Sequence, residues 1–69
     1  MGSDLHEIDV IYIHATERAV LVSAYEGGDE VWLPIAQVEI APSGNGGLRR
    51  GRPALLTAPE SLLQEKGLI

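Results

Sequence analysis

Between His6 and His14 the chain alternates, with His6, Ile8, Val10, Tyr12 and His14 on one side of an extended backbone and Glu7, Asp9, Ile11 and Ile13 on the other. Successive side chains of a strand point to opposite faces, so a period of two in a stretch rich in β-branched residues reads as a strand. No other feature restricts the fold as strongly, because it commits the N-terminal part of the chain to a sheet that the rest must complete. Ile11 and Ile13 make the second face apolar as well, which predicts that the far end of this strand is covered on both sides.

The later segments supply its partners. A turn near Thr16 and Glu17 leads into RAVLVSAY, a second β-rich run. EGGDE closes a hairpin, where Gly27 and Gly28 take positive φ without steric cost. VWLP returns from it, and Pro34, lacking an N–H, predicts an edge or a bend. IAQVEIA resumes the alternation, with Ala36, Val38 and Ile40 on one face, as a fourth strand. PALLTAP follows a glycine-rich loop as a fifth. Thr57-Ala58-Pro59-Glu60 matches a capping box and predicts a helix from about Ala58 to Lys66, with Gly67 as its left-handed cap and Leu68 packing back. A two-turn helix cannot stand free, so Leu62 and Leu63 must dock it on the core. The expected fold is mainly β: a small five-stranded barrel or roll of the SH3-like or OB-like kind with one short C-terminal α-helix.

At 69 residues this is a single domain, spanning 1–69, and it contains no cysteine. A domain of this size buries about 60% of the surface its unfolded chain exposes and retains roughly 3–5 kcal/mol of net stability. Disulfides, thiolate zinc sites and cysteine nucleophiles are excluded. The core holds by packing alone or with a second copy, which leaves a homodimer open. No apolar run approaches the roughly 18 residues of a membrane helix, and the N-terminus lacks a signal-peptide pattern, so the host-cell cytoplasm is the expected location, with no membrane partner. Met1-Gly2-Ser3 is compatible with an expression-tag remnant.

The net charge of −5 is unevenly spread. The first forty residues carry eight carboxylates against Arg18 alone, whereas the remainder carries Glu60 and Glu65 against Arg49, Arg50, Arg52 and Lys66. An acidic body repels phosphate backbones at long range and favours a positively charged partner surface. Glu7, Asp9, Asp29 and Glu30 are therefore the candidate partner-binding residues. Arg49, Arg50 and Arg52, in SGNGGLRRGRP, are the candidate nucleic-acid contacts, since guanidiniums in a glycine-rich loop form charge-assisted forks to phosphate. Trp32, in a chain without phenylalanine, is the expected structural anchor of the core, with an exposed recognition role as the alternative.

Catalysis has no visible basis. His6 and His14 lie eight residues apart, roughly 26 Å along a straight strand, too far to share one ion. The acid pairs lack a partner that would poise them for proton transfer, and Ser23, Ser43 and Ser61 show no adjacent base. The expectation is a non-enzymatic protein with no cofactor and no metal.

EVWLPIAQVEI and APESLLQEKGLI together resemble a family of small phage and prophage proteins, in which a Val-Trp-Leu-Pro core strand precedes a polar segment and the chain ends in a Pro-Glu-initiated helix closing with Lys-Gly-Leu. TERAVLV is similar as well. Ile35 and Ala36 stand where that family commonly carries a Lys-Ser pair, and Ser61 where it often carries tryptophan. The resemblance implies mobile-element origin and a compact β fold, without an assigned activity. Small acidic proteins of this type occupy basic partner surfaces, so the leading expectation is an inhibitor of a host nucleic-acid-handling or defence complex, of the anti-CRISPR kind. A single-stranded nucleic-acid-binding accessory using the arginine loop and a structural or virion component are the alternatives.

Overall fold

The computed structural model describes residues 5–69; Met1-Gly2-Ser3 lies outside them. Five antiparallel strands, β1 (Leu5–Ala15), β2 (Ala19–Ser23), β3 (Glu30–Pro34), β4 (Glu39–Pro42) and β5 (Arg52–Pro59), form one sheet, followed by a short helix, α1 (Glu60–Glu65). The spatial order is β3-β2-β1-β5-β4. The first strand thus lies at the centre. The mainly β fold with five strands and a short C-terminal helix is the one read from the sequence. The two edge strands, β3 and β4, do not pair with each other, so the sheet is a roll and not a closed barrel.

Cross-strand neighbours share a face, and the register accounts for the core. Val20 opposes Leu33, Val22 opposes Val31, Val10 opposes Ala54 and Ile8 opposes Leu56. Leu62 and Leu63 of α1 join the same cluster, as the amphipathic spacing requires of so short a helix. Tyr12, Ile40 and Leu68 pack around it.

The alternation in β1 breaks once. Ile11 and Tyr12 pair with Ser23 and Val22, but the next pairs are His14 with Leu21 and Ala15 with Val20, so Ile13 is an extra residue. A bulge of this kind exchanges the faces beyond it. His14 therefore does not share the core face with Val10, as simple parity predicts; it crosses to the opposite, outer face. Ile11 and Ile13 are half-buried.

Two further expectations are corrected by backbone hydrogen bonding. The segment read as one strand from Ile35 to Ala41 opens with a 3-10 turn, Ile35–Gln37, and only Glu39–Pro42 is β. Pro34 ends the edge strand, the Ile35 N–H donates to Arg18 O at 2.8 Å, and the Val38 N–H turns back to Ile35 O at 3.3 Å. Ala36 is consequently exposed, while Val38 and Ile40 pack on the core. The capping box is also absent. Thr57 is held in the sheet between Glu7 and Glu39, β5 continues through Pro59, and that N-cap carries no side-chain hydrogen bond. Pairing on both sides of β5 wins over a local cap. Glu60 instead lies 3.4 Å from His6 Nε2.

The other end of α1 follows the sequence reading. Gly67 has φ +75°, its N–H donates to Gln64 O at 3.1 Å, and the Leu68 N–H donates to Leu63 O at 2.8 Å. These are the two bonds of a Schellman cap. In the β2–β3 hairpin only Gly27 takes positive φ. Gly28 is crowded for a different reason: a Cβ there would come within 2.9 Å of the Tyr25 ring and 3.0 Å of Ser23 Oγ.

Candidate functional site

The face of the sheet turned away from α1 is organised in rows, because each residue is aligned with its neighbours across three or four strands. Glu39, Thr57 and Glu7 form one row across β4, β5 and β1. Ala41, Leu55 and Asp9 form the next. Further along, Pro53, Ile11, Ser23 and Glu30 are aligned, and beyond the bulge His14, Leu21 and Trp32 complete the face. One end is therefore acidic and the other apolar and aromatic. A groove of about 370 Å³ runs over the acidic end, with Glu7 and Glu39 flanking Thr57 and with Leu55 and Ala41 beside them.

Trp32 is not the core anchor expected from its size. It is 46% exposed, because the alternation along β3 turns Val31 and Leu33 inward and Trp32 outward. Leu33, Leu56 and Leu63 fill the positions that a buried tryptophan would take. On the outer face Trp32 meets His14 nearly at right angles, with ring centroids 6.5 Å apart.

Of the four carboxylates singled out in the sequence, three reach this face: Glu7 and Asp9 on β1, and Glu30 at the start of β3, all exposed. Asp29 lies elsewhere, in a cleft of about 250 Å³ beside Tyr25, Val31 and Lys66 at the end of α1. The structure adds Glu39, which sequence reasoning left out. Its outward direction was legible between Val38 and Ile40, but its place in one row with Glu7 depends on β5 lying between the strands.

The arginine loop forms a separate feature between β4 and β5. Gly46, Gly47 and Gly51 all have positive φ, of 100°, 78° and 83°. The Gly51 N–H donates to Tyr12 O at 2.7 Å and the Arg52 N–H to Arg49 O at 3.0 Å, so the loop's return is tied to the centre of the sheet. Arg49 Nε donates to Gly46 O at 3.3 Å. Arg49 and Arg52 line a concavity of about 430 Å³ together with Ser43, Asn45 and the loop glycines, whereas Arg50 does not line it.

Among the described residues no three His, Cys, Asp or Glu side chains are grouped to hold a metal ion, and no helix is long and apolar enough to cross a membrane. His6 is beside Glu60 and His14 beside Trp32, at opposite ends of β1. Comparison with known protein families, curated proteins and solved structures finds no match to this chain.

Proposed function

We propose that this chain is a non-enzymatic binding protein that inhibits a nucleic-acid-handling or defence complex of its host, in the anti-CRISPR manner, by docking its outer sheet face on a basic surface of that complex. The observation that carries the reading is the pairing of an acidic end, Glu7, Asp9 and Glu39, with an exposed Trp32 beside half-buried Leu21 on one continuous face. Tryptophan supplies the kind of anchor that dominates binding energy when it is desolvated in a partner pocket. The carboxylates match a surface that otherwise receives phosphate, giving specificity and a fast, salt-dependent encounter. The sequence resemblance to small phage and prophage proteins supports a host complex as the target.

The test is affinity capture from host cells, with each captured protein identified by mass spectrometry and checked for stoichiometry. The expected result is one nucleic-acid-binding complex, retained by the unaltered chain, lost on joint Glu7→Lys, Asp9→Lys and Glu39→Lys substitution, and blocked from its nucleic acid by the purified chain. Capture that is indifferent to charge reversal overturns the reading, as does a captured complex that still binds its nucleic acid.

A further inference from the structure

The arginine loop lies at the far end of β5 from the Glu7 and Glu39 row, five residues or roughly 17 Å away by the rise of a strand. Its own chemistry is the reverse of that face. Arg49 and Arg52 border one concavity, and the bond from Arg49 Nε to Gly46 O fixes one edge of the guanidinium while leaving its two Nη groups free to donate elsewhere. A Cβ added at Gly44 or Gly47 would meet nothing within 4 Å, so no other part of the chain packs over the loop at these two positions. Gly46 and Gly47 hold a backbone conformation that other residues rarely adopt.

We propose that the β4–β5 loop is a binding site for a single phosphate monoester dianion, gripped by Arg49 and Arg52 and not by Arg50. The proposal goes beyond the docking reading and rests on different residues. Charge selects the ligand class. A phosphate monoester carries about −1.5 to −2 at neutral pH and offers three acceptor oxygens, which two guanidinium forks match. An internal phosphodiester brings one charge per unit along a polyanion, and a body of net charge −5 repels the rest of that polymer. An end group avoids the penalty. The concavity of about 430 Å³ is more than ten times the roughly 30 Å³ share of one water, so it has room for a sugar-sized body attached to the phosphate. The same chemistry comes from a free mononucleotide or from the phosphorylated end of a short strand.

Four probes test this by nuclear magnetic resonance titration of the labelled protein: adenosine 5′-monophosphate, adenosine, a 5′-phosphorylated trithymidylate and the same trinucleotide without its phosphate. The expected result is movement of the Gly44, Gly46 and Gly47 amides and of Arg49 Nε with the monophosphate and not with adenosine. If the phosphorylated trinucleotide acts and its unphosphorylated twin does not, strand ends are ligands too; if only the mononucleotide acts, the site is confined to small phosphoesters. Arg49→Ala and Arg52→Ala should each weaken binding by at least about ten-fold, as loss of a charge-assisted contact does, while Arg50→Ala stays within about two-fold. Arg52→Lys, which keeps the charge and loses the fork, should fall between them. All four variants should retain the native amide spectrum outside the loop. The proposal is overturned by equal binding of phosphorylated and unphosphorylated probes, by no binding of any phosphorylated probe, or by an Arg50→Ala loss as large as that of Arg49→Ala.

Discussion

The rings of His14 and Trp32 meet at 83°, with centroids 6.5 Å apart, on the face of the sheet away from the core. Edge-to-face pairs of this kind contribute about 0.5–1.5 kcal/mol, with the lower end applying to an exposed pair. The contact exists because Ile13 is an extra residue in β1; without the change of face His14 would point at the core.

The first prediction follows from that exposure. Trp32→Ala should cost about 1 kcal/mol, a fall of roughly 4–8 °C in Tm for a domain of this length, with the far-ultraviolet circular dichroism unchanged. Leu33→Ala, one residue along and fully buried, should cost about 2–5 kcal/mol, comparable to the whole stability expected at this size, and leave the chain largely unfolded. Paired thermal melts check the contrast. An unfolded Trp32→Ala variant beside a folded Leu33→Ala variant would invert the assignment of the two faces.

Glu7 and Glu39 face each other across Thr57, two strand spacings or about 9.6 Å apart, close to the Debye length at 0.1 M salt. Neutralising either, as Glu7→Gln or Glu39→Gln, should therefore leave the fold intact and raise Tm slightly at low ionic strength. The gain should vanish at about 1 M salt. A loss of stability at low salt would mean that these carboxylates are held by attractive partners.

Two glycine substitutions should differ for a stated reason. Gly67→Ala forces a Cβ into left-handed backbone at the Schellman cap and should cost about 1–2 kcal/mol. Gly28→Ala meets the ring of Tyr25, which is 67% exposed and at the end of a flexible side chain, and needs only a few tenths of an ångström from Ser23 Oγ at 3.0 Å, so its melting temperature should fall less. Thermal denaturation of both variants, read together, tests which constraint is rigid.

Thr57→Val separates a strand residue from a helix cap. A threonine N-cap lost to a non-capping side chain costs about 1 kcal/mol. Because Thr57 is paired within β5, valine should instead be neutral or mildly stabilising, through its higher β-propensity on a half-buried face. A clear drop in Tm would restore the cap.

Much of the fold was legible because its determinants are local. The alternation of Ile8, Val10 and Tyr12, the hairpin at Gly27, the edge position of Pro34 and the helix stop at Gly67 each follow from the chemistry of a few adjacent residues. Several of the failures come from competition by strands distant in sequence. Thr57 carries the local signature of a cap, yet it is claimed by β1 and β4 together. Trp32 has the volume of a core residue, yet the inward positions beside it belong to Val31 and Leu33. Glu39 acquires its neighbour Glu7 only through β5, which no short window of sequence reveals. The bulge at Ile13 has no mark in composition at all, since His14 continues the alternation on paper.

The central place of β1 governs how the chain reaches its native state. Leu5 is paired with Pro59 and His6 with Ala58, so the middle of the sheet is closed by segments more than fifty residues apart. The β1–β2–β3 meander and the β4–β5 hairpin can each form from neighbouring sequence, but the three-stranded meander leaves Val10 and Val20 uncovered until β5 and α1 dock on it. Contacts this remote make for slow folding in a small domain, because loop closure must precede the interactions that reward it. During synthesis β1 therefore emerges before the other four strands yet is among the last to be completed, and a chain truncated before Arg52 has no route to the native sheet.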